Sequence, residues 1–178
     1  MSRHWHELSR AVSVLALLTC AFFAVVASWL LSAPNSYGQS ANPFSRYGGN
    51  WSGGGFIHLS NDSQEQIRCR GRFTSTETSI VNLRIQLRCA SDTHNLDLES
   101  GLNYNSGAIL GTWSDSISGV RGRVMGKFDG NNIRAIVESQ AFRAALDLTS
   151  FGDRQRIRIQ PYGTPVSAVI IGLSRNSR

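Results

Sequence analysis

The sequence predicts an all-β domain: an antiparallel meander of about ten strands, expected to close into a barrel in preference to a two-sheet sandwich. Three observations carry that reading. From Trp51 onward apolar and polar residues alternate with a period of two, and short polar clusters rich in Gly, Asn, Asp and Ser interrupt the alternation. The 17 glycines and 4 prolines also disfavour long helices. Successive side chains of a strand point to opposite faces, so this rhythm describes a sheet with one face buried.

The first strand is expected over 51–60. In 65–73, Ile67, Cys69, Gly71 and Phe73 alternate with Arg68, Arg70 and Arg72. In 81–89, Val81, Leu83, Ile85, Leu87 and Cys89 alternate with Asn82, Arg84, Gln86 and Arg88. Residue 79, midway between Cys69 and Cys89, lies in the polar stretch Thr74–Ser79. A hairpin folded there sets the two sulfurs opposite each other and predicts a disulfide. The same register puts Phe73 opposite Ile85 inside and Arg70 opposite Arg88 outside. Facing arginines repel, and the next strand supplies relief: about the turn Ser91–His94, Leu96 and Leu98 point inward, Asp97 comes near Arg88, and Glu99 near Gln86.

Further strands are expected over 107–114, 119–128, 132–138, 141–149, 154–160 and 166–174. Asp129-Gly130-Asn131 is a strong hairpin signal. A turn at Ser150–Asp153 predicts Asp147 opposite Arg156, Thr149 opposite Arg154 and Ala145 opposite Arg158. Gly111, Gly122, Gly126 and Gly172 lie inside strands, where glycine permits sharp coiling or bulges.

Upstream, residues 1–38 read as a signal peptide or N-terminal membrane anchor. Arg3, His4, His6 and Arg10 precede an apolar run at residues 11–31, the pattern of an export signal and long enough to span a bilayer if left uncleaved. Cys20 falls inside that run, preceded by Thr19 where lipidation wants a smaller residue, and reads as apolar filler. Residues 39–50 have no period and read as a flexible linker, leaving 51–175 as a single all-β domain. Its two cysteines form an even pair, as suits a periplasmic or secreted protein.

The chain of 178 residues carries 18 Lys+Arg against 12 Asp+Glu, and Lys127 is the only lysine. Guanidinium suits bidentate pairing with carboxylates, phosphates or sulfates. The arginines therefore fit either internal charge ladders or an anionic partner. Arg68, Arg70 and Arg72 share one strand face, Arg121, Arg123 and Lys127 a second, and Arg154, Arg156 and Arg158 a third. An outer-membrane barrel is disfavoured, because aromatic girdles are missing and the chain ends in Arg175-Asn176-Ser177-Arg178.

The strand Arg68-Cys69-Arg70, the strand end Arg88-Cys89-Ala90-Ser91-Asp92 and the later Gly111-Thr112-Trp113 resemble those of a group of uncharacterised secreted proteins of alphaproteobacteria. That resemblance implies export and the disulfide. It brings no activity. Gly49-Asn50-Trp51 and Gly111-Thr112-Trp113 are also faintly similar to the G-x-W of lipocalin- and avidin-type barrels, in which the Trp closes one end.

No motif for chemistry is apparent. There is no G-x-S-x-G elbow, no Cys/His/Asp/Glu cluster with metal spacing and no phosphate-cradling loop before a helix, so no metal or cofactor is expected. Asp97 and Glu99 share a strand face beside arginines, where both are ionised and suit no glycosidase pair. The expectation is a non-enzymatic binding or envelope-associated domain. Its ligand is an apolar or amphipathic small molecule inside the barrel near Trp51 and Trp113, or an anionic envelope polymer or lipid head group on the arginine stripes, with Arg70, Arg121, Arg123 and Arg158 as contacts. A hydrolase with a site assembled from distant residues is the third reading, for which His58 and His94 are the residues to test. Nucleic acid is not expected, and membrane contact is expected only through an uncleaved leader.

Overall fold

The computed structural model describes residues 42–77 and 81–177. The expected leader and its cleavage region lie outside the described residues. Ten strands follow one another: β1 (Gly49–Leu59), β2 (Gln64–Glu77), β3 (Val81–Ala90), β4 (Asn95–Asn105), β5 (Ala108–Asp115), β6 (Arg121–Asp129), β7 (Asn132–Ser139), β8 (Arg143–Phe151), β9 (Arg154–Tyr162) and β10 (Val166–Arg175). Each pairs antiparallel with the next, and β10 pairs with β1, so the sheet closes into a barrel. Closure removes both exposed edges.

Following paired residues once around the barrel, the row that leaves β2 at Glu77 returns to β2 at Glu65, a stagger of twelve residues. Such a shear tilts the strands by roughly 40°. Tilt and strand number together leave an interior wide enough for large side chains. Leu83, Leu102, Ile109, Ile133, Ile171 and Leu173 fill it and are fully buried. Most apolar residues face inward and the arginines outward, with Phe56, Leu110 and Met125 among the exposed exceptions.

Cys69 stands opposite Cys89 and is bonded to it. Phe73 pairs with Ile85, Arg70 with Arg88, Arg88 with Asp97 and Gln86 with Glu99. Asp97 relieves the facing arginines by accepting from Arg88 Nε at 3.1 Å.

The β8–β9 register differs from expectation. Asp147 pairs with Arg158, Thr149 with Arg156 and Phe151 with Arg154. The turn contains only Gly152 and Asp153, made tight by Gly152 at φ 55°. A slip of two residues keeps every side chain on its face, so the alternation does not discriminate between the two turns.

A second difference concerns the expected linker. Residues 42–47 form a turn, β1 already begins at Gly49, and Phe44 and Tyr47 are fully buried. This end of the barrel is rimmed by Tyr104 and Phe128, and the Phe44 ring meets them edge-on at 6.1 and 5.9 Å. Removing that much aromatic surface from water outweighs the segment's conformational entropy.

Candidate functional site

The two ends of the barrel are built differently. At the end holding the connections 106–107, 130–131 and 152–153, the segment 42–48 forms a cap. Tyr47 donates its hydroxyl to Asn131 O at 2.8 Å and to Leu148 O at 3.3 Å. Its carbonyl in turn accepts from Trp51 Nε1 at 2.9 Å and Gln155 Nε2 at 3.2 Å. Burial chiefly, and the Asp147 charge after it, hold the Tyr47 phenol well above its ordinary range, with Arg46 opposing. Arg175 lies over the Trp51 ring, 4.2 Å from its centroid, and donates to the carbonyls of Gly48 and Arg46. The cap's buried polar groups are largely partnered, and Trp51 is 0% exposed. This end is sealed.

The opposite end holds the connections 60–63, 91–94, 116–120, 140–142 and 163–165. Here inward-facing Leu59, Leu96, Leu98, Val137, Leu146 and Val169 are only partly buried. Among the described residues no segment crosses them as 42–48 crosses the other end. The result is an apolar mouth.

Trp113 lies at the foot of this mouth, between Ser100 and Gly122 in the paired row. Its ring packs on Phe142 with centroids 5.6 Å apart. Gly122 has no side chain because a Cβ there would strike the Glu138 carbonyl and come within 2.7 Å of Trp113 Nε1. The indole is 7% exposed, yet among the described residues its N–H has no hydrogen-bond partner. An unpaired buried donor costs about 1–3 kcal/mol. Neighbouring Ser100 is satisfied, its hydroxyl donating to Thr112 O at 2.9 Å.

Two carboxylates brace the rim. Asp115 Oδ1 accepts from the N–H of Asp97 at 2.9 Å and of Ile117 at 3.3 Å, while Oδ2 accepts from the N–H and hydroxyl of Ser118 at 3.1 and 2.6 Å. Burial pushes this carboxyl up, but those four bonds outweigh it and hold its pKa below the ordinary value. Glu65 accepts from Thr93 N at 2.8 Å and Thr93 Oγ1 at 2.8 Å, and lies 3.0 Å from His94 Nδ1. The hydroxyl of Ser91 and then Thr93 bring its pKa from 4.5 down to about 2, with His94 adding to them against partial desolvation.

That cluster makes no nucleophilic triad. Thr93 Oγ1 and the Glu65 carboxylate both meet His94 at the same ring nitrogen, so the imidazole cannot relay a proton between them. His58 stands beside Phe56, ring centroids 6.4 Å apart. Among the described residues there is no group of three or more His, Cys, Asp or Glu placed to hold a metal ion.

The structure thus separates the residues that the sequence singles out. Trp51 belongs to the sealed end and Trp113 to the open one. Cys69–Cys89 bridges β2 and β3. Arg121 and Arg123 lie on the outer face of β6, where Arg123 is opposite Glu138, itself paired with Arg143 at 3.2 Å. Arg70 and Arg158 lie on the outer faces of β2 and β9. Sequence reasoning missed Phe44, Tyr47, Glu65 and Asp115. The Asp-x-x-Ser spacing of Asp115 and Ser118 is the one local signal among them, since a carboxylate there caps its own turn.

No family model matches the sequence, and no curated protein matches it. Among solved structures the chain is similar to an S-type phycobiliprotein lyase from Guillardia theta. The TM-score is 0.57 and the identity 13%, over 76% of this chain and 91% of that one. The likeness is one of fold.

Proposed function

We propose that the chain is an exported binding module, not an enzyme, that takes an apolar or amphipathic small molecule at the open end of its barrel. The observation that carries this reading is the unpartnered, buried N–H of Trp113 beneath partly exposed inward leucines and valines. A ligand whose apolar body covers those side chains, and whose acceptor oxygen meets the indole, recovers both costs. The filled middle of the barrel supports a seat for that ligand in the mouth, away from Trp51. The closed barrel supports the reading, since barrels of this kind hold one small ligand. Export is supported by the pattern of residues 1–38 and by the disulfide, which suits an oxidising periplasmic or extracellular compartment.

The test is titration of the full chain with the neutral fluorophore N-phenylnaphthylamine. Saturable enhancement is expected, lost by at least about tenfold in Leu146→Arg and Val169→Arg, which put a cation among the mouth residues, and kept in Arg70→Ser. Absence of saturable binding overturns the proposal. So does wild-type affinity in both mouth variants when their circular dichroism shows the barrel intact.

A further inference from the structure

We propose that the outer face of β9, β10, β1 and β2 is a channel for a linear acidic polysaccharide bearing carboxylate or sulfate groups. Barrel closure brings two arginine stripes that are far apart in sequence onto one surface. Arg154, Arg156 and Arg158 form one wall on β9, and Arg68, Arg70 and Arg72 the other on β2. All six are exposed. Between them run β10 and β1, and the paired rows read Arg154–Ser174–Ser52–Arg70 and Arg156–Gly172–Gly54–Arg68. Three inter-strand steps set the walls about 14 Å apart, and alternate residues space the arginines about 7 Å along each wall.

The floor is bare for two different reasons. At Gly54 a Cβ would strike the carbonyl of Ile67, so β1 needs glycine there, whereas Gly53 and Gly55, paired with Cys69 and Ile67, face the barrel interior and are not part of the floor. Gly172 is under no such demand. A Cβ at that position meets only Gly54 O at 3.9 Å, its φ is not positive, and the residue is exposed. The fold does not require an empty site at 172, whereas a chain lying in the channel does.

Among the described residues none of the six wall arginines is ion-paired; the acidic partners are taken by Arg84, Arg88, Arg134, Arg143 and Arg175. Asp147 stands across from Arg158 without pairing to it, and Arg72 donates to Asn50 Oδ1 at 3.2 Å. Arg70 faces Arg88, whose charge is offset by Asp97. A field of exposed guanidinium groups outside any ion pair favours an anion. The strip between the two stripes is too broad for one small anion to reach both. Nucleic acid wants rings among the cations for base stacking. Here Phe56 lies at one end of the floor and Phe151 behind the β9 wall, and Ser and Gly fill the space between.

The site is independent of the mouth, and so is its test. Binding of the full chain to immobilised polygalacturonate and dextran sulfate is measured over rising NaCl, with neutral dextran, duplex DNA and phosphatidylglycerol vesicles alongside. Expected are binding to both acidic polysaccharides and a steep salt dependence. The Arg154→Ser/Arg156→Ser/Arg158→Ser triple variant should lose at least about tenfold in affinity, with a log–log salt slope shallower by about two to three. Gly172→Glu, which sets a carboxylate on the floor, should lose as much, and Arg121→Ser/Arg123→Ser, on β6, should lose little. The proposal is overturned if the folded triple variant binds like wild type, if the Arg121/Arg123 variant loses as much as the triple one, or if DNA or vesicles are preferred to both polysaccharides.

Discussion

Gly54 and Gly172 stand opposite each other where β1 and β10 close the barrel, and only Gly54 is obliged to be glycine. A Cβ on Gly54 runs into the Ile67 carbonyl of β2, while one on Gly172 makes only an ordinary contact with Gly54 O at 3.9 Å. Gly54→Ala should therefore cost about 1–3 kcal/mol, as overpacking does, and Gly172→Ala should stay within about 0.5 kcal/mol of wild type. Urea denaturation midpoints at constant slope check both.

The cap makes a stability prediction of its own. Phe44 is fully buried among Tyr47, Tyr104 and Phe128. Phe44→Ala should lose about 3–5 kcal/mol. Tyr47→Phe, which removes the hydroxyl bonded to Asn131 O and Leu148 O, should lose about 0.5–1.5 kcal/mol. A free linker would give neither loss.

Tyr47 shapes the alkaline limit, and Glu65 together with Asp115 the acid one. Burial raises the Tyr47 phenol in the folded state, so the stability it contributes is complete below its ordinary pKa of 10.0 and is lost as pH climbs above that value. Tyr47→Phe should flatten the alkaline limb of a plot of thermal midpoint against pH. Glu65 behaves in the opposite sense. Its folded pKa lies at about 2 against 4.5, so its contribution is present above pH 4.5 and is lost as pH falls from there through about 2. Glu65→Gln should flatten the acid limb over that window and leave the alkaline limb unchanged.

The disulfide closes a loop of 20 residues between β2 and β3. Replacing both cysteines by Ala should cost about 3 kcal/mol. Since Cys69 and Cys89 pair across adjacent strands, the variant should keep its β-sheet circular dichroism and unfold at lower urea.

Much of the fold was legible because burial on one face writes itself into every second residue. Cys69 and Cys89 fixed the β2–β3 register through their midpoint, and the Ser91–His94 turn fixed Arg88 against Asp97. What escaped depends on contacts between distant residues. Tyr47 is buried by Asn131 and Leu148, 84 and 101 positions away, and the local sequence around it has no period to signal that. The β8–β9 slip preserved alternation and was silent for that reason. Each arginine stripe was visible by itself, but the facing of β2 and β9 across bare β1 and β10 follows from ring closure, which no local pattern encodes. The unpartnered N–H of Trp113 is likewise a property of packing, and Gly122, which makes room for it, reads in sequence only as a strand glycine.

The account turns on one end of the barrel being sealed around Trp51 and the other open above Trp113. The most direct measurement is the indole N–H resonance of each tryptophan in the 15N-labelled protein, assigned by Trp→Phe variants, during titration with N-phenylnaphthylamine. The Trp113 resonance should move saturably while that of Trp51 stays fixed. Movement of Trp51 with Trp113 unmoved, or no movement of either at probe concentrations that saturate fluorescence, would contradict it.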